Sequence, residues 1–67
     1  MSYYAEMIAV SSSWIRAVGY DGSTLTVEVR NGRTYDHPHV PYSVYREFMD
    51  ASSKGTYYNR HIRGKYK

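Results

Sequence analysis

The segment Thr24–Arg30 alternates without a fault: Leu25, Val27 and Val29 fall on one side, Thr24, Thr26, Glu28 and Arg30 on the other. Period-2 alternation marks a half-buried antiparallel strand. Asn31-Gly32 follows at once, a strong short hairpin signal, and Arg33–His37 returns as the next strand. A two-residue loop would place Tyr35 opposite Glu28 on the solvent face. A three-residue loop, Arg30-Asn31-Gly32 with a bulge at Gly32, places Tyr35 opposite Val27 on the core face. The second also keeps Arg30 from facing Arg33, a like-charge pair that destabilises a ladder. The bulged register is therefore expected, with Tyr35 and His37 turned toward the core.

Upstream, Trp14–Tyr20 is rich in strand formers, but both alternation phases contain apolar residues, so its inner face is undecided. Asp21-Gly22-Ser23 is a turn. The stretch Met1–Val10 is too short to assign by period. Downstream, Pro38 and Pro41 end the sheet, and Pro41 suits the first turn of a helix. Over Tyr42–Ala51 the spacing puts Val44, Tyr45, Phe48 and Met49 on one stripe, an amphipathic helix of about three turns. Ser52-Ser53-Lys54-Gly55 closes it, and Ser53 or Thr56 can cap a second, short helix. There Tyr58 and Ile62 face inward, while Arg60, Arg63 and Lys67 lie near the opposite face. Gly64 ends it.

Strands followed by helices give an α+β domain: a three-stranded antiparallel meander from about Trp14 to His37 with two short helices packed on one face. At 67 residues the whole chain, 1–67, is one domain, with a core of about 10–66. There is no cysteine, so no disulfide or thiolate site can staple it. Its stability must come from packing, for which nine tyrosines are the main resource. No apolar run reaches the roughly 20 residues of a membrane span, and Met1–Val10 lacks a basic leader region. A soluble cytoplasmic protein without membrane contact is expected.

Charge is distributed unevenly. Lys54–Lys67 carries five Lys or Arg, no carboxylate and three tyrosines; the remainder has four arginines against six acids. The net +3 is thus +5 in this segment and −2 elsewhere. Such a balance favours an acidic or phosphate-rich partner, and interleaved aromatics point to nucleic acid. The candidate contacts are Lys54, Arg60, Arg63 and Lys65, with an exposed Tyr57 stacking on an unpaired base. The rival is a protein-interaction module that uses exposed tyrosines and arginines on a partner or on itself. Trp14 and the pairs Tyr3-Tyr4 and Tyr57-Tyr58 are otherwise core material.

Catalysis finds no signature. His37 and His39 stand two apart, with His61 distant and Asp36 or Asp50 able to complete a set, but Pro38 interrupts the strand and no metal-ligand spacing is present. His37 reads as a packed or hydrogen-bonded aromatic replacement, and His39 as a loop residue. Ser11–Ser13 lack a nucleophile-elbow sequence, and no glycine-rich loop leads from strand to helix. No cofactor, metal or catalytic residue is expected.

The order of motifs resembles the KTSC domain, a family named for the C-terminus of some lysyl-tRNA synthetases. The matching runs are Val10-Ser-Ser-Ser-Trp14-Ile15-Arg-Ala-Val18-Gly19-Tyr20-Asp21, Leu25-x-Val27-x-Val29-x-Asn31-Gly32-x-x-Tyr35, Val40-Pro41-x-x-Val44-Tyr45, and Ser53-x-Gly55-x-Tyr57-Tyr58-Asn59-x-x-Ile62-Arg63. They span about Val10 to Tyr66. The family's central Tyr-x-Tyr here reads Tyr35-Asp36-His37. The resemblance implies this fold and these limits, in a family that occurs as a synthetase appendage and as short free-standing proteins. It implies RNA, tRNA or a single strand, as the partner to test, because RNA binding has been proposed for the family.

Overall fold

The computed structural model describes residues 6–66. The Tyr3-Tyr4 pair, and Lys67 at the end of the basic segment, lie outside the described residues. Four antiparallel strands form one sheet in sequence order: β1 Ile8–Ala9, β2 Ile15–Tyr20, β3 Leu25–Val29 and β4 Thr34–His37. Helix α1, Tyr42–Asp50, and the one-turn helix α2, Lys54–Tyr57, follow, and α2 runs into a π turn over Tyr58–Ile62. The α+β order is as expected, with one strand more. That strand pairs only Ile8 with Val18 and Ala9 with Ala17, and two residues are too few to show a period.

Strand β2 owes its unreadable inner face to a bulge. Ile15 pairs with Val29, but Ala17 pairs with Glu28, so Arg16 is an extra residue. The phase flips there, and Ile15 and Val18 share the core face with Val29 and Val27. Both have no solvent exposure. On the outer face Arg16 approaches Glu28 at 3.8 Å, and the Thr26 hydroxyl donates to Asp36 across the strands at 2.8 Å.

The β3–β4 hairpin adopts the three-residue loop. Val27 pairs with Tyr35 and Leu25 with His37. Val29 N–H donates to Arg33 C=O at 2.9 Å, and Gly32 takes a φ of +93° that a side chain would disfavour. The register is as expected, but the burial of Tyr35 is not. Tyr35 lies on the core side of an edge strand whose outer end no helix covers, and it is 42% exposed. His37, two residues on, is buried.

From β4 the chain turns through His39, which has a positive φ of 61°, and Val40 is fixed from both sides. Its N–H donates to Ser23 C=O at 2.8 Å, and its C=O accepts the Tyr20 hydroxyl at 2.6 Å. Pro41 then precedes α1. Phe48 is the fully buried member of the α1 stripe; Val44, Tyr45 and Met49 pack partly buried around the core. Ser53 caps α2, its hydroxyl accepting from Thr56 N–H. Tyr58 and Ile62 face inward and complete a core with Ile15, Val18, Leu25, Val27, Val29, Val40 and Phe48.

Candidate functional site

Where the helical layer stops short of the β3–β4 hairpin, it leaves a pocket of about 510 Å³. Its walls are largely aromatic: Trp14, Tyr35, Tyr58 and His37, with Val29 from β3. Arg30, Asn31 and Arg63 complete the lining, and no carboxylate takes part. His37 and Tyr58 are buried while Tyr35, Arg30, Asn31 and Arg63 are exposed, so the first pair forms the inner wall and the others the rim.

Each wall is held in place. Trp14 meets Tyr58 edge to face, with ring centroids 5.5 Å apart. Behind it lies Gly55, buried, where a Cβ would collide with the indole. The Ser12 hydroxyl accepts from the N–H groups of Trp14 and Ile15 at 3.4 and 3.2 Å, shaping the approach to β2. Arg30 is anchored twice: its backbone N–H donates to Trp14 C=O at 3.1 Å, and its guanidinium donates to Ser12 C=O at 2.9 Å.

His37 sits between two oxygens. Its Nδ1 is 2.6 Å from the Tyr66 C=O and its Nε2 is 2.7 Å from the Tyr58 hydroxyl. A carbonyl can only accept, so Nδ1 carries the hydrogen. In the neutral ring Nε2 then accepts from Tyr58 O–H. This chain of bonds ties β4, the π turn and the C-terminal segment together. Burial pushes the Tyr58 phenol above its ordinary value, against the pull of the Arg63 charge. The hydroxyl therefore keeps its hydrogen near neutrality.

The π turn decides where Arg63 goes. On a regular helix, five steps of about 100° would leave Arg63 about 140° round from Tyr58. That is why the spacing places it on the far face. Instead Arg63 N–H closes onto Tyr58 C=O at 2.8 Å, an i to i+5 bond that brings the two into line. Arg63 is exposed, as expected, but with this closure it lines the pocket beside Tyr58 rather than lying on the far face.

The other expected contacts disperse. Arg60 and Lys65 are exposed. Lys54 is partly buried, donates to Ala51 C=O at 3.0 Å, and lines a separate polar cleft of about 280 Å³ with Ser11–Ser13, Ser53 and Asn59. Tyr57 is not the free ring that was expected. It is half-buried between Phe48 and His61, at centroid distances of 5.9 and 4.5 Å, and its hydroxyl donates to Glu47 at 3.0 Å. Burial, then the Glu47 carboxylate, pushes its phenol up to about 12. Sequence reasoning missed Arg30, Asn31, Trp14 and Tyr35 as a site, because they converge only once the hairpin and the π turn are folded.

His39 and His61 are exposed, and among the described residues no three His, Cys, Asp or Glu side chains gather as a metal site would require. Nor is any helix among them long and apolar enough to cross a membrane.

This is the architecture of a small α+β domain. The family model for the KTSC domain matches residues 11–66, so the chain belongs to the KTSC domain family. The crystal structure of a KTSC domain protein from Yersinia pestis superimposes with a TM-score of 0.90 at 35% identity, covering 96% of this chain and 93% of that one. Lysine–tRNA ligases of Trichormus variabilis and Nostoc punctiforme are each 35% identical over 63 residues, 91% of this chain. The chain spans about 11% of the length of those ligases.

Proposed function

We propose that this domain is a non-enzymatic module that binds RNA through its basic C-terminal segment, with tRNA or single strands as the partner. The observation that carries the reading is the position of Arg63. It belongs to the cation-rich segment and also stands at the rim of the aromatic pocket with Arg30, where among the described residues no carboxylate lines the pocket. Among the described residues the ion pairs are Arg16–Glu28 and Arg46–Asp50, so Arg60, Arg63 and Lys65 have no carboxylate partner. Exposed unpaired cations beside aromatic faces suit a flexible polyanion whose bases can be splayed out. Related domains lie within proteins named for a tRNA, which supports RNA over other polyanions. Lys54, on the second cleft, and Tyr57, bonded to Glu47, lie outside the aromatic pocket.

A second reading rests on a different surface. Tyr20 and Tyr45 stack at 4.4 Å, and Tyr42, 60% exposed, leans on both. An exposed tyrosine backed by two half-buried ones is suitable material for a protein interface, with a partner or a second copy.

The test is a binding titration at low salt with labelled single-stranded RNA and with tRNA. Replacing Arg60 and Arg63 together by alanine should weaken binding to all sequences alike. Unchanged affinity in the double variant, or no binding by the wild type, would remove the RNA reading and leave the tyrosine cluster as the surface to pursue.

A further inference from the structure

We infer that the pocket between the β3–β4 hairpin and the π turn receives one unpaired nucleotide, its base against Tyr35 and Trp14 and its phosphate at Arg30 and Arg63. The inference rests on the nucleic-acid reading and adds to it a defined site for one base.

Three features of the pocket select this ligand. Its volume of about 510 Å³ is within the range of ~300–1,000 Å³ typical of small-molecule sites. Tyr35 keeps an uncovered ring, 42% exposed, on the side of the sheet that otherwise packs into the core. Arg30 and Arg63 both line the rim, the Arg30 guanidinium held by Ser12 C=O and the Arg63 backbone by the π turn. A planar guanidinium suits a phosphate, and an aromatic wall suits a base.

Polar groups at the pocket match the edge of a base. The Tyr58 hydrogen is committed to His37, so its oxygen can only accept from a ligand. Asn31 Oδ1 already accepts from Arg33 N–H at 2.9 Å, which leaves its amide N–H groups to donate. One acceptor and one donor complement the mixed edges that bases present. A phosphotyrosine peptide would also bring a ring and a phosphate. A strand is favoured because the same segment carries Arg60 and Lys65 beyond the pocket, more cations than a single phosphate needs.

Trp14 is the protein's one tryptophan and it lines the pocket, so its fluorescence reports occupancy. The probes are adenosine monophosphate, ribose 5-phosphate, a short oligoadenylate and a tyrosine-phosphorylated peptide, with strand binding followed independently by anisotropy. The oligoadenylate should quench Trp14, and ribose 5-phosphate should not. Quenching by the mononucleotide as well would extend the site to free nucleotides; quenching by the strand alone would restrict it to a nucleotide within RNA. Tyr35→Thr, which keeps a strand-forming residue on the edge strand, should weaken the oligoadenylate about tenfold or more, and Tyr35→Phe should not. If the strand binds by anisotropy but Trp14 is silent and Tyr35→Thr binds equally, the pocket assignment falls and the RNA reading stands. If the phosphopeptide alone quenches, the pocket assignment falls; if the strand does not bind by anisotropy, the RNA reading falls with it. The comparison of probes on the wild type decides even where a variant folds poorly.

Discussion

Gly55 lies so close to the indole of Trp14 that a single added Cβ would overlap the ring. This contact joins the start of α2 to the approach of β2 and fixes the wall that separates the aromatic pocket from the polar cleft behind it. Gly55→Ala must push either the helix or the indole aside. A destabilisation of about 1–3 kcal/mol is expected from such overpacking. In a domain of this size that lowers the melting temperature by ~4–8 °C per kcal/mol. A shifted Trp14 emission should accompany it. An unchanged melt and spectrum would show that the two can separate freely.

The bond between His37 and Tyr58 leads to a second outcome. Tyr58→Phe keeps the ring packed against Trp14 and Phe48 but removes the partner of a buried His37 nitrogen. Leaving that nitrogen unpaired should cost about 1–3 kcal/mol, measured by denaturant unfolding. A variant as stable as wild type would mean that water or another group satisfies His37.

Phe48 has no solvent exposure and touches both Tyr57 and Tyr58. Phe48→Ala should cost ~3–5 kcal/mol, a large share of what so small a domain has. A melt within a few degrees of wild type would contradict the docking of α1 on the sheet.

What could be read from sequence were the features set by local pattern. The alternation of Leu25, Val27 and Val29 marks β3, and the like-charge conflict of Arg30 with Arg33 selects the bulged hairpin. The spacing of Val44, Tyr45, Phe48 and Met49 marks α1. The features that build the pocket are departures from regular period. The extra residue Arg16 hides the phase of β2, and the i to i+5 closure at Arg63 moves a cation from one face to another. Tyr35 illustrates the limit: pairing gives its side of the sheet, but its exposure depends on where the helices end.

High pH should loosen the fold in a defined direction. The Tyr57 phenol is raised from 10.0 to about 12, and the Tyr20 and Tyr58 phenols are raised too. A raised folded pKa favours the protonated native state, so this contribution is intact below about pH 10 and is lost as pH climbs toward 12. Denaturant midpoints measured across that window should fall, and less steeply in Tyr57→Phe. A flat profile in the wild type would show that neither burial nor Glu47 raises the phenol in the folded state.

The central claim is that exposed cations on and beside the π turn hold the phosphates of an RNA strand. The most direct measurement is the slope of log affinity against log salt for a short single-stranded RNA. If three or four phosphates are engaged, the slope should be about −2 to −3, and Arg60→Ala with Arg63→Ala should reduce its magnitude by roughly one or more. A slope near zero, or one that the double variant leaves untouched, would contradict the account.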